Sequence, residues 1–174
     1  MAEAKLQKTA KKSEETTMPE VYEELNLDAK VTVKSIAGWD TGFARRLEFG
    51  DVTIVPNGSV RLSRNEIIAQ VLGGNKLFTG VDGIGSHATL FIDDKATRRE
   101  VEFESETTKQ NVFSDSKVRE LFDIKSLDSF KRRFKEEIYT RAEKFAVIEA
   151  IKRLALNDYS KIRFVEEYTG YKVQ

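Results

Sequence analysis

The hydrophobic period of this chain changes near residues 104–114, and that change restricts the fold more than any other feature. From Lys30 to Phe103 apolar residues alternate, and glycine-bearing turns interrupt them; from Ser114 to Gly170 they recur every three to four residues with almost no glycine. Alternation marks a half-buried strand, and recurrence at three to four marks an amphipathic helix. Each kind of element has an apolar face that must be covered. The expectation is an α+β fold. A small twisted β-barrel or sandwich occupies about 30–103, with one short helix inserted at 64–73. A helical region over 114–170, containing one long helix, packs on the β unit or on a partner. A flexible tail at 1–18 precedes the β-rich domain at 19–103.

Composition narrows the function classes. The 174 residues carry 29 cationic and 29 anionic side chains, so the formal net charge is zero. The balance is nearly local: 4 cations and 7 anions over 1–29, 10 and 9 over 30–103, 15 and 13 over 104–174. A domain that holds nucleic acid mainly by neutralising phosphate shows a basic excess, and no segment has one. The absence of cysteine excludes a disulfide framework, a thiolate zinc site and a cysteine nucleophile. No apolar run approaches the roughly 20 residues that span a bilayer, and the first residues lack the apolar core of a signal peptide. A soluble protein without membrane contact is expected, in a virion or the host cytoplasm.

Local signals divide the chain further. Pro19 suits the first turn of a short helix over 20–25. Strands are expected at 31–36, 43–49, 52–55, 60–62, 88–92 and 97–103. In the second of these, Phe43, Leu47 and Phe49 share a face. Asn57-Gly58 between two β-type runs predicts a hairpin. Ser63-Arg64-Asn65-Glu66 reads as a capping box opening the short helix, which Gly73-Gly74 ends. Leu77-Phe78 is an apolar anchor. The helical region starts with Val118, Leu121 and Phe122 facing inward. A helix capped by Ser126 or Ser129 then runs to about Ala155, roughly 40 Å long. Glu137–Arg141 and Glu149–Arg153 are favourable four-residue pairs on it. A last helix carries Ile162, Val165 and Tyr168 and stops at Gly170.

Catalytic constellations are not evident. His87 is the sole histidine, and acid–base or metal work needs partners in defined geometry, so a structural role is the better reading. Ser86 would point to the opposite face of a strand, which disfavours a Ser–His dyad. Gly80–Gly85 precedes a strand, whereas a phosphate loop opens a helix; glycines at positive φ explain it better. No catalytic residue, cofactor or metal is assigned. The residues best placed to contact a partner are Trp39, Arg45, Arg46, Lys131, Arg132, Arg133 and Lys135. Trp39, alone between two glycines, caps the β core or anchors an interface. Arg45 and Arg46, with Arg61 and Arg64, form one basic patch. Lys131–Lys135 forms another, either a solvated helix face or a track along phosphates.

The pieces GWDTGFARRLEFGDVTIVPNG, RLSRNEIIAQV and NKLFTGVDGIGSHATLFIDD, between Val31 and Asp94, resemble uncharacterised proteins encoded by phages and prophages of Gram-positive bacteria. The resemblance implies a mobile-element origin and brings no catalytic motif. A non-enzymatic protein–protein assembly role is therefore expected, most concretely a virion component of capsid, connector or tail. The alternative is a phage-encoded inhibitor of a host defence nuclease complex or a nucleic-acid-associated protein. Protein partners are expected, a second copy of the chain among them, and nucleic acid is the other candidate.

Overall fold

The computed structural model describes residues 25–173. The tail at 1–18 and the expected helix over 20–25 fall outside them, save Leu25, which belongs to no element. The fold is α+β, in two packed units. The first contains β1 (Lys30–Ser35), β2 (Thr41–Ala44), β3 (Asp51–Ile54), β4 (Ser59–Ser63), α1 (Arg64–Leu72), α2 (Lys76–Thr79), β5 (Leu90–Ile92) and α3 (Lys95–Glu100). The second contains α4 (Asp115–Phe122), α5 (Leu127–Glu137), α6 (Arg141–Arg153) and α7 (Tyr159–Thr169). Among the described residues no helix is long and apolar enough to cross a membrane.

The expected barrel does not close. β4, β1 and β5 form one antiparallel sheet with β1 central, and β2 and β3 form a separate antiparallel ribbon. Val52 and Ile54 of the ribbon share a core with Val31, Val33, Leu62, Leu90 and Ile92 of the sheet, and Ile67, Phe78 and Phe103 complete it. The alternating residues are buried as their period requires. The anchor at Leu77-Phe78 is met by Phe78, which is fully buried.

Asn57-Gly58 does not make a hairpin. Gly58 N–H donates to Val55 O at 2.9 Å, and Asn57 has φ +53°. This is a type II turn, with Pro56 and Asn57 in the positions that favour proline and tolerate positive φ. Ser35 and Ala37 bond its backbone, so it carries the chain from the ribbon to the sheet rather than folding one strand back.

Two further expectations change. Residues 97–103 are not a strand, because the Asp94 side chain accepts from Thr97 N–H at 2.8 Å and caps α3. The buried Phe103 then seals the core from a turn rather than from a ladder.

The long helix is two helices. Ile138 ends α5 with extended backbone, and Thr140 and Glu143 form a full capping box that starts α6. The Glu143 carboxylate takes the N–H groups of Tyr139 and Thr140 at 3.2 and 3.1 Å, which an unbroken helix would bond to carbonyls four residues earlier. The expected pair Glu137–Arg141 is accordingly absent, and Glu137 binds Lys117 and Arg133 instead. Glu149 pairs with Lys152, leaving Arg153 to bind Asp115 of α4. The break folds α5 and α6 around a phenylalanine-rich core of Phe122, Phe130, Phe134, Ile138, Ile148, Ile151 and Val165.

Candidate docking loop and its surroundings

The strand expected over 43–49 stops at Ala44, and the chain from Arg45 to Gly50 becomes a loop held from beneath by α1. Ser63 caps α1 by accepting from Glu66 N–H, but the Glu66 side chain does not complete the box. It turns to the loop instead. Glu66 Oε1 accepts from Arg46 N–H at 2.9 Å, and Oε2 accepts from Leu47 N–H at 3.0 Å. Gln70, one helical turn on, donates to Ala44 O at 2.7 Å and to Glu66 Oε1 at 2.8 Å, and its own oxygen accepts from Asn75. Glu66 and Gln70 are both buried. Burial pushes the Glu66 carboxyl up. The N–H of Arg46, the Gln70 amide, the N–H of Leu47 and the charge of Arg45 outweigh it, so its pKa lies below the usual carboxylate value.

This clamp displays an apolar tip. Phe49 is fully exposed and Leu47 is half exposed, although alternation placed both on the face of the half-buried Phe43. Phe43 alone packs inward, edge-on to Phe78 at 5.3 Å between centroids. Arg45 closes the loop through Glu48 at 2.7 Å and through its own N–H to Gly50 O. Arg46 reaches α1 and donates to Gly73 O at 3.0 Å; the neighbouring Leu72 is exposed as well. Arg45 and Arg46 therefore shape the loop with part of their bonding capacity. The rest of that patch disperses. Arg64 is buried against Asp94, Thr97 and Asn26 O, and Arg61 binds Lys30 O.

Trp39 lies elsewhere, at the junction of the two units. It meets Phe145 of α6 edge-on at 6.3 Å, and the Arg141 guanidinium stands 4.4 Å above its ring. Gly38 is required there, since a Cβ would fall 2.1 Å from the Phe145 ring. Trp39 thus fastens the units together instead of capping one end of the β core.

His87 joins the same junction. Its backbone has φ +57°, so it is not the start of a strand, and β5 begins three residues later. Its Nδ1 lies 2.6 Å from Glu143 Oε1, and its ring meets Tyr139 at 4.4 Å. Asn111 Nδ2 lies 3.2 Å from Nε2, while Asn111 Oδ1 accepts from the Lys117 ammonium. The Asn111 amide must therefore donate to Nε2, which leaves the proton on Nδ1, donated to Glu143. Both ring nitrogens are occupied, and neither is offered to Ser86. The Ser86 N–H instead bonds Asp82, whose Oδ1 also takes Ile84 N–H and so organises the glycine loop. That loop has positive φ at Gly80, Gly83 and Gly85.

The basic run on α5 splits between two surroundings. Arg133 binds Glu137 at 3.0 Å beside Lys117. Lys131 and Lys135 lie over the ring of Phe164, and Arg132 is exposed. The seven candidate residues thus fall into three places: Arg45 and Arg46 on the loop, Trp39 at the junction, and the four cations on α5. What the sequence missed is the clamp itself. Glu66 and Gln70 bear no local sign of acting on residues about twenty positions earlier, and Leu47 and Phe49 have the period of buried residues.

Among the described residues no group of three or more His, Asp or Glu side chains is placed to hold a metal ion. No family model, curated protein or solved structure matches the chain.

Proposed function

We propose that this chain is a non-enzymatic assembly protein that docks on a protein partner through loop 45–50. The observation that carries this reading is the buried Glu66–Gln70 pair, bonded to the backbone beneath the exposed Leu47 and Phe49. Burying a carboxylate is costly unless it is well bonded. Here its bonds hold the backbone at the start of the loop from which a solvent-facing aromatic residue projects. A loop ordered before binding has less backbone freedom to lose, and aromatic anchors dominate interface energetics. The resemblance over Val31–Asp94 supplies the setting, a phage-type virion component of capsid, connector or tail.

The test compares wild type with Phe49→Ala in particles purified from the phage lysate in which the chain is made. Phe49 touches too little of the core for its removal to unfold the chain, and thermal denaturation checks this. Wild type should co-sediment with particles and the variant should stay in the soluble fraction. Wild type absent from particles and abundant in cytosol overturns the virion reading. That outcome favours the alternative, an inhibitor of a host defence nuclease complex using the same loop, which a pull-down from host lysate would then reveal.

A further inference from the structure

We infer that a stripe across α5, α6 and α7, separate from loop 45–50, binds the backbone of single-stranded nucleic acid. Phe164 and Tyr168, one turn apart on α7, stack with centroids 5.9 Å apart and planes 11° from parallel. Cations from two other helices converge on them. The Lys131 and Lys135 ammonium groups stand 5.8 and 5.9 Å from the Phe164 ring, and that of Lys144 stands 4.4 Å from the Tyr168 ring. The rings hold the ammonium groups in a row by cation–π attraction.

The charges of that row are not balanced locally. None of Lys131, Lys135 and Lys144 forms an ion pair with another described residue, and most of the neighbouring carboxylates are committed elsewhere. Glu137 serves Lys117 and Arg133, Glu143 serves His87, Glu149 serves Lys152, and Glu167 serves Arg163. Asp128 lies in the first turn of α5, where the positive helix end offsets its charge. Glu136 is the other exposed acidic side chain on α5. A chain of zero net charge therefore sets three lysines, without an ion-pair partner among the described residues, along the rings of α7.

At one end of the row Tyr159 is 76% exposed, and it lines an open groove with Lys131, Phe164 and the Arg163–Glu167 ion pair. An exposed ring beside phosphate-binding cations is the arrangement on which an unpaired base stacks. From Tyr159 to Tyr168 the helix rises about 14 Å, long enough for a short stretch of single strand to lie along it. Lysines are depleted at protein–protein interfaces, which argues against a protein on this face.

Fluorescence anisotropy with a labelled single-stranded oligothymidine of 20 nucleotides tests the assignment, with salt varied from 50 to 200 mM. Three contacts predict a log–log salt slope of about −2, and Lys131→Ala with Lys135→Ala should reduce its magnitude by about 1.4. Tyr159→Ala should weaken binding by at least about fivefold. Lys144→Ala on α6 provides the same comparison, with a slope smaller by about 0.7, should the double lysine variant fail to fold. Phe49→Ala should bind as wild type, which separates this site from the docking loop. Lack of binding at 50 mM salt overturns the inference, as does equal affinity for a 20-base-pair duplex. So does displacement by polyglutamate as effective as by oligothymidine, or binding that these variants leave unchanged.

Discussion

Glu66→Gln tests the clamp on which the docking proposal stands. The carboxylate accepts three bonds, from Arg46 N–H, Leu47 N–H and the Gln70 amide. A glutamine offers one oxygen in place of two. If that oxygen keeps Arg46 and Gln70, the new NH2 faces the Leu47 N–H, donor against donor. One bond is then lost outright, and the other two fall from charge-assisted to neutral strength. With charge-assisted bonds at about 1.5–3 kcal/mol and neutral ones at about 0.5–1.5, the loss comes to about 5 kcal/mol. For a chain of this length that corresponds to a Tm lower by about 10–20 °C.

Two readouts are needed, circular dichroism melting for the whole chain and amide hydrogen exchange at Arg46 and Leu47 for the loop. The pH dependence adds a signature. The pKa of Glu66 is lowered in the folded state. Its stabilisation is therefore fully present above the unfolded carboxylate value of about 4.3 and is lost as pH falls through the folded value. The gap between wild type and Glu66→Gln should be constant at neutral pH and should close in acid. A variant melting within about one degree of wild type, with both amides equally protected, would refute the reasoning.

Two other outcomes are expected at the junction of the units. His87→Ala removes the bond to Glu143 and leaves that buried carboxylate and the Asn111 amide short of a partner; a loss of about 2–3 kcal/mol should appear as a lower urea midpoint. Gly38→Ala drives a methyl group into the Phe145 ring, so it should destabilise by about 1–3 kcal/mol and shift the emission of the single tryptophan, Trp39, to the red as its contact with Phe145 opens. Unchanged emission and midpoint would show that the turn repacks without strain.

Much of the fold was legible in the sequence because its signals are local. Ser114, Ser126 and Asp158 cap their helices through bonds spanning three residues, and Gly170 ends α7 in the left-handed conformation. The inward positions Val118, Leu121 and Phe122 follow from a 3.6-residue period. The break at Ile138–Thr140 was also written locally, as Thr140-x-x-Glu143. The apolar line hides it, because Phe130, Phe134, Ile138 and Phe145 keep helical spacing across the gap. The hairpin signal at Asn57-Gly58 misled for the opposite reason. A turn fixes the local direction of the chain but not which strand the next one joins, and β4 joins β1 rather than β3.

The candidate surfaces depended on contacts far apart in the chain. The sequence determined the two structural styles, the balance of charge and the positions of most core residues, since periodicity and capping act within a few residues. Only the tertiary structure decided that Phe49 faces solvent, because Glu66 and Gln70 draw the backbone of residues 44–47 off the ladder from about twenty positions away. It likewise placed His87 against Glu143, 56 residues on, and set cations of α5 and α6 against the rings of α7. Alternation reports which side of a strand a residue occupies. It does not report where the strand ends, and that depends on what a distant carboxylate bonds.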